Sequence, residues 1–470
     1  MVRDIVIVGG GVAGWMSALA LSRGLAGSGR RISLVETEGP DIGTGPFGPA
    51  ETTLPGFAQF LIEHDLDEAA VLRASRGSYS LGSAIAGWAG EGGTWFLPFG
   101  ESGAPMGPVA FHQLAARVRA AGQPCRLADF SLAAIAAQAG RFARPSKDPR
   151  SPLSTLAYGL HLDKAGFASL LRAAALEKGV ILHSAPFRSV MVTGQVESVT
   201  LASGEVVTGD LFLDCSGARA VLAGSLSPFE SWKQWLPCDR VIEAADAVEG
   251  VPPPYTVAAA HEAGWRRTVP LAGGQGDAIL SSSAHSDIGG TAFESGRRAR
   301  FWTANCIAIG AAAAVVEPIH PVGLHVVQSG LRRLIALFPN DAGGPESAEY
   351  NRILHGEADR ARDFIIAHYK TNGRTGEPLW DDARAMAVPD ELQYKLDLHA
   401  SRGRVPMYDE EVFDRPDWIA LFDGQGVRQR RYDALADTIP EAALTQHFAR
   451  LRQILIETAK AMPGHGEALK

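Results

Sequence analysis

Asp4 to Val8 is a short apolar run that feeds directly into Gly9, Gly11 and Gly14 at the spacing GxGxxG, and a helical stretch and a second apolar strand then lead to Glu36. Strand, glycine turn, helix, strand and acid in this order restrict the segment to a dinucleotide-binding βαβ unit. The first glycine permits the tight turn, the second lets backbone approach a pyrophosphate, and the third lets helix and strand pack closely. Val12 and Ala13 lie at the helix N-terminus, where backbone N–H groups face the phosphates. Glu36 follows Gly14 at about the 20-residue distance at which an acid ending the second strand bonds ribose hydroxyls. A glycine-rich structural turn explains the glycines but not the elements around them.

With 470 residues the chain can form one large domain with an insertion, or several smaller ones. Its formal net charge of −8 argues against a nucleic-acid binder, which needs clustered Lys and Arg. Cys125, Cys215, Cys238 and Cys306 are far apart and form no CxxC or Cys/His cluster. They read as buried reduced thiols in a cytoplasmic protein, not as metal ligands or a disulfide framework. No apolar run is long enough to span a bilayer, and no export signal opens the sequence.

After Glu36 the segment TEGPDIGTGPFGP reads as a loop. AETTLP follows, carrying Glu51 and Thr53, and then two helical patterns. Residues 78–88 alternate as one strand, and Phe111 begins a helix. Residues 138–154 read as an exposed connection. A helix is expected from about Asp163, followed by a strand and two hairpin turns at Thr193-Gly194 and Ser203-Gly204. The strand ending Asp214-Cys215-Ser216-Gly217 should return to the nucleotide domain and bring Gly217 near the cofactor. Residues 240–283 predict a second sheet roofing the site. A further strand delivers Gly310, a helix starts near Val322, and the chain beyond Pro339 is mostly helical. Three histidines beside apolar residues, His112, His161 and His325, read as structural. Trp88, Trp95, Phe96, Pro98 and Phe99 can line a pocket or pack a core.

GGGVAGWM, AETTLP, YGLHLDKAGFASLLR, DLFLDCSG, LPCDR, FWTANCIAIG and RARDFIIAHY together resemble, in order, blocks of the flavin-dependent tryptophan halogenase family. The resemblance spans nearly the whole chain. It implies FAD, bound in a Rossmann-type, flavin-monooxygenase-like α+β/α/β fold, with reduced flavin supplied by a separate reductase. The expected organisation is a flavin domain over 1–340 with a substrate-side sheet inserted at about 185–300, then a mostly helical region over 341–470 that offers a surface for a homodimer.

The resemblance also exposes departures. The family's catalytic lysine falls at Ser80, whose hydroxyl carries no ammonium and forms no haloamine. In EPIHPVG, Glu317, Pro318 and Gly323 match the family, whereas His320 replaces the glutamate that assists the substrate, Pro321 a serine, and Val322 the threonine near halide. His320 can act as a base near neutral pH, and a structural or flavin-packing role is equally open. The backbone N–H groups of Val322 and Gly323 remain as halide donors. In GWRRTVPL, Arg267 stands where the family has its second tryptophan. It offers a planar cation for a carboxylate or phosphate, and its commoner reading is a solvated or salt-bridged strand arginine.

Two function classes follow. The first is an oxidoreductase using reduced FAD and oxygen, with halide where halogenation is kept, to halogenate or oxygenate a small aromatic acceptor. The second is a catalytically diverged flavin-binding protein acting as an interaction module. A nicotinamide-dependent dehydrogenase is disfavoured, because only one GxGxxG is present.

Overall fold

The computed structural model describes residues 1–37, 47–341 and 344–470. Most of the loop expected after Glu36 lies outside them. A six-stranded sheet runs in the order Trp302–Thr303, Cys306–Ala308, Leu211–Asp214, Asp4–Val8, Arg31–Val35, Ile181–Leu182. All its pairings are parallel except the first. Asp4–Val8 is central, and Ile5 to Val8 are buried on both faces, as a covered parallel sheet requires. The helix Val12–Gly24 packs against the helices Lys164–Glu177 and Gly323–Ala336. Because Asp4–Val8 is flanked by Leu211–Asp214 on one side and Arg31–Val35 on the other, the crevice at its C-terminal end is a topological switch point.

The second sheet has seven strands, in the order Thr291–Ala292, Arg240–Asp246, Gly274–Ser281, Gly264–Leu271, Thr256–His261, Gly82–Ala86, Thr94–Pro98. It therefore draws on residues near 82–98 as well as on the later segment. The hairpins at 193–194 and 203–204 form a separate three-stranded sheet, with Gly194 and Gly204 at positive φ. Helices Pro345–Lys370, Pro378–Ala385, Asp390–Arg402, Arg415–Gly424 and Glu441–Ala461 fill the C-terminal region.

The single strand expected over 78–88 is instead two. Ser78–Ser80 pairs with Gly159–Asp163 and, through it, with Ala50–Thr52, whereas Gly82–Ala86 joins the seven-stranded sheet. Gly82 makes the switch at φ 144°, where a Cβ would lie 2.2 Å from the Leu97 carbonyl oxygen. Alternation carries no signal for such a break. The expected helix at 111 spans Phe111–Ala120, and the one near 163 spans Lys164–Glu177 with the Asp163 carboxylate capping Gly166 N–H.

Candidate active site

The glycine turn is built for close approach. A Cβ on Gly9 would sit 2.2 Å from the Cys215 carbonyl oxygen, and one on Gly14 1.8 Å from the Gly9 oxygen. Gly11 caps the helix that Val12 and Ala13 begin, with no side-chain cap and no acid in its first turn, so the positive end of the helix dipole is left for an anion. Glu36 folds across Gly10, whose Cβ would lie 2.7 Å from Glu36 Cγ. Gly217 and Gly310, at φ 72° and 66°, turn the chain beyond the neighbouring strands Leu211–Asp214 and Cys306–Ala308, and their short helical turns pack together. A backbone cradle, an uncapped helix N-terminus and an acid just past the second strand fit FAD. Cys215, behind Gly9 and 3.4 Å from Ser17 Oγ, is held as a thiol because burial pushes it up to about 12.

Of the two readings of Arg267 as a strand arginine, solvated or salt-bridged, the structure shows the salt-bridged one. It is buried, with Nη1 donating to Glu51 Oε1 at 3.0 Å and Nη2 to the carbonyls of Phe47 and Ala50 at 2.9 and 2.6 Å. Its register on Gly264–Leu271 turns it toward the strand Ala50–Thr52, where burial requires a partner. Glu51 also accepts from Thr52 N–H, and Thr53 Oγ1 accepts from Leu160 N–H at 2.8 Å. The side chains of Glu51 and Thr53 therefore hold the AETTLP loop to the protein. Behind them runs a buried polar chain in which Thr52 Oγ1 meets Thr256 Oγ1 at 2.8 Å, Thr256 meets His161 Nε2 at 3.1 Å, and His161 Nδ1 meets Ser78 Oγ at 2.9 Å. Burial lowers His161 to about 3 and keeps it neutral.

Ser80 is fully buried, and its hydroxyl donates to the Gly82 carbonyl at 3.3 Å. His320 is buried with Nε2 3.2 Å from Nε2 of His368, its ring packed against Phe364 and Phe413. Burial, with His368 beside it, carries His320 well below the ordinary histidine range, so it is a weaker base than its free side chain. Val322 N–H donates to the His320 carbonyl at 2.8 Å, which removes one of the two expected halide donors.

Glu317 joins blocks that are distant in sequence. Its Oε2 accepts from Trp265 Nε1 at 3.1 Å and from the Tyr369 hydroxyl at 2.6 Å, while its Oε1 is buried without a hydrogen-bond partner. Burial raises it to about 7 against the pull of those donors. Cys238 lies 3.3 Å from the same hydroxyl. In the sequence the block ending in His368-Tyr369 carries a family resemblance but no assigned role. The signal was there, two polar-tipped aromatic residues closing an otherwise apolar helical turn.

A cavity of about 730 Å³ opens between Leu54 and Pro55 of the loop, Phe99, His325 of the helix after EPIHPVG, and Met407 and Tyr408. Of the aromatic residues noted in the sequence, Trp88 is core, while Trp95, Phe96 and Pro98 line a separate cavity of about 340 Å³. Among the described residues no helix is long and apolar enough to cross a membrane, and no group of three or more His, Cys, Asp or Glu residues is placed to hold a metal.

The family model described as tryptophan halogenase matches residues 4–441. A flavin-dependent halogenase from Brevundimonas sp. BAL3 superposes with TM-score 0.94 at 35% identity, over 100% of this chain and 99% of that one. Another from Xanthomonas campestris gives TM-score 0.92 at 32% identity, over 100% and 98%. A tryptophan 7-halogenase from Lentzea aerocolonigenes is 29% identical over 85% of this chain and 82% of its own length.

Proposed function

Since the chain belongs to the tryptophan halogenase family, a family of flavin-dependent oxidoreductases, we propose that it uses reduced FAD, oxygen and halide to halogenate a small aromatic acceptor in the cavity of about 730 Å³. FAD, when bound, supplies the activation of oxygen that oxidises halide. The cradle of Gly9, Gly11, Val12, Ala13, Gly14, Glu36, Gly217 and Gly310 would hold it, with Pro318 and Gly323 carrying the second loop toward it. A separate reductase supplies the reduced flavin. The observation that carries the reading is the placement of the cavity, walled by the AETTLP loop on one side and by the helix after EPIHPVG on the other.

The chain's own residues divide the work. Arg267 and Glu51 fix the loop, Glu317 fixes the second loop to Trp265 and Tyr369, and His320, buried behind the cavity's lining, occupies the loop position of the substrate-assisting glutamate. A second reading, oxygenation of the same acceptor, is favoured by Ser80, which presents a hydroxyl committed to Gly82 where an ammonium would direct hypohalous acid. The test is turnover with FAD, a flavin reductase, oxygen and bromide over a panel of indoles and phenols, read by mass spectrometry. Brominated product supports halogenation, a gain of one oxygen supports the second reading, and peroxide alone refutes both. A homodimer through the C-terminal helices belongs to the same proposal and is read by sedimentation.

A further inference from the structure

The two buried histidines fix each other's protons. His368, on the helix Pro345–Lys370, turns Nδ1 to the Phe364 carbonyl oxygen at 2.9 Å. A carbonyl only accepts, so His368 carries its proton on Nδ1, and in the neutral ring Nε2 holds a lone pair. That lone pair faces His320 Nε2 at 3.2 Å. Two bare nitrogens at this distance would repel, so His320 Nε2 is the donor and its Nδ1 is left as the basic nitrogen. Burial keeps both rings neutral near pH 7, lowering His368 to about 4 and, with His368 beside it, carrying His320 well below the ordinary histidine range. The packing holds the pair in place. Phe364 and Phe413, stacked on each other at 4.0 Å, flank His320, and Trp95 stacks on His368 at 6.0 Å.

We infer that His368 is a positioning residue that locks His320 in its Nε2–H tautomer and leaves Nδ1 as its one nitrogen able to take the proton lost by an aromatic acceptor that reaches it. The proton's origin rests on the halogenation reading, and the tautomer does not. In that step the carbon–halogen bond forms as the halogen–oxygen bond of hypohalous acid breaks. The carbon–hydrogen bond then breaks, its electron pair restores the aromatic ring, and the proton passes through Nδ1 to the departing hydroxide. The balance is ArH plus HOX giving ArX plus water. A carboxylate accepts through either oxygen, but an imidazole accepts only through its bare nitrogen, so the tautomer decides whether His320 can replace the glutamate.

The experiment is solid-state NMR of the full chain loaded with FAD and carrying isotope-labelled histidine, with His320→Gln assigning the His320 signals by their loss. The expected spectrum has a pyridine-type Nδ1 and a pyrrole-type Nε2 at His320; the reverse pattern or an imidazolium at neutral pH overturns the inference whatever the turnover. His368→Gln keeps an acceptor oxygen and is expected to keep the tautomer. His368→Phe removes the acceptor and is expected to give mixed tautomers and a kcat for bromination about ten-fold lower or more, with KM within about two-fold. An unchanged single tautomer in His368→Phe overturns the inference; if that variant does not fold, the wild-type and His368→Gln spectra decide. The expected tautomer without halogenated product supports the inference and sinks the functional reading alone.

Discussion

The Tyr369 hydroxyl donates to Glu317 at 2.6 Å, although 52 residues separate the two in the chain. Trp265 Nε1 lies 3.0 Å from the same hydroxyl and 3.1 Å from the same carboxylate oxygen, and Trp88 and Trp380 pack around the tyrosine ring. The loop bearing His320, the strand bearing Arg267 and the helix bearing His368 thus meet at one buried carboxyl group. Its protonation state bears on all of them.

Glu317 sets an alkaline limit on stability. Its pKa rises from 4.5 to about 7 on folding, so its favourable contribution is full below pH 4.5 and is lost as pH rises through 7. At about 1.4 kcal/mol per unit, the loss is about 3 kcal/mol. Glu317→Gln keeps an acceptor for Tyr369 and Trp265 but does not titrate. Urea unfolding at a series of pH values from about 5 to about 8, the range over which the Glu317 contribution is lost, should therefore show a flatter profile for this variant, and an unchanged slope would refute the assignment.

His368 works in the opposite direction. With its pKa lowered from 6.5 to about 4, its contribution is full above pH 6.5 and is lost as pH falls through 4. His368→Gln should remove that part of the acid loss, leaving a shallower fall in unfolding free energy across the same window. An identical acid limb in variant and wild type would contradict the burial of a neutral imidazole.

Arg267 and Glu51 form a buried ion pair, so truncating one partner strands the other. Arg267→Met should cost about 3–5 kcal/mol, whereas Arg267→Met combined with Glu51→Gln should recover a large part of it. Calorimetry of the single and double variants checks the coupling, and additive losses would count against it. Flavin affinity, followed by quenching of FAD fluorescence, should fall with the single variant because the AETTLP loop loses its anchor.

Much of this was legible in the chain, and the limits have physical causes. The glycine turn, Glu36 and the returning strand at Asp214 were readable because backbone geometry dictates residue type there. Ser80 and His320 were readable as departures through motif matching. The side-chain partners were not, because Arg267 finds Glu51 and Glu317 finds Tyr369 across sequence separations of 216 and 52 residues. Periodicity reports which face is buried, not what lies opposite. The same limit merged 78–88 into one strand, since the switch between sheets at Gly82 leaves the alternation intact.

The cradle predicts its own failure. Gly14→Ala would drive a Cβ to 1.8 Å from the Gly9 oxygen, far inside contact distance and against backbone that cannot swing aside. The expected result is a folded chain that loses FAD binding by about 100-fold or more, equivalent to about 3 kcal/mol. Circular dichroism and flavin titration separate that outcome from global unfolding.

Ser80 and His320 set the last expectation. Ser80 sits fully buried with its hydroxyl on Gly82, so Ser80→Lys introduces an ammonium into a place that now satisfies only a hydroxyl, and a lysine there needs a charge partner. His320→Glu supplies an acid in the loop where the family carries one, and it also replaces the neutral ring against His368, which a carboxylate would pull back toward protonation. The double variant should therefore gain brominated product over a broad aromatic panel, while Ser80→Lys alone should chiefly lose stability. No gain in the double variant, with FAD still bound, would refute the reading that this chain lacks only the lysine–glutamate pair.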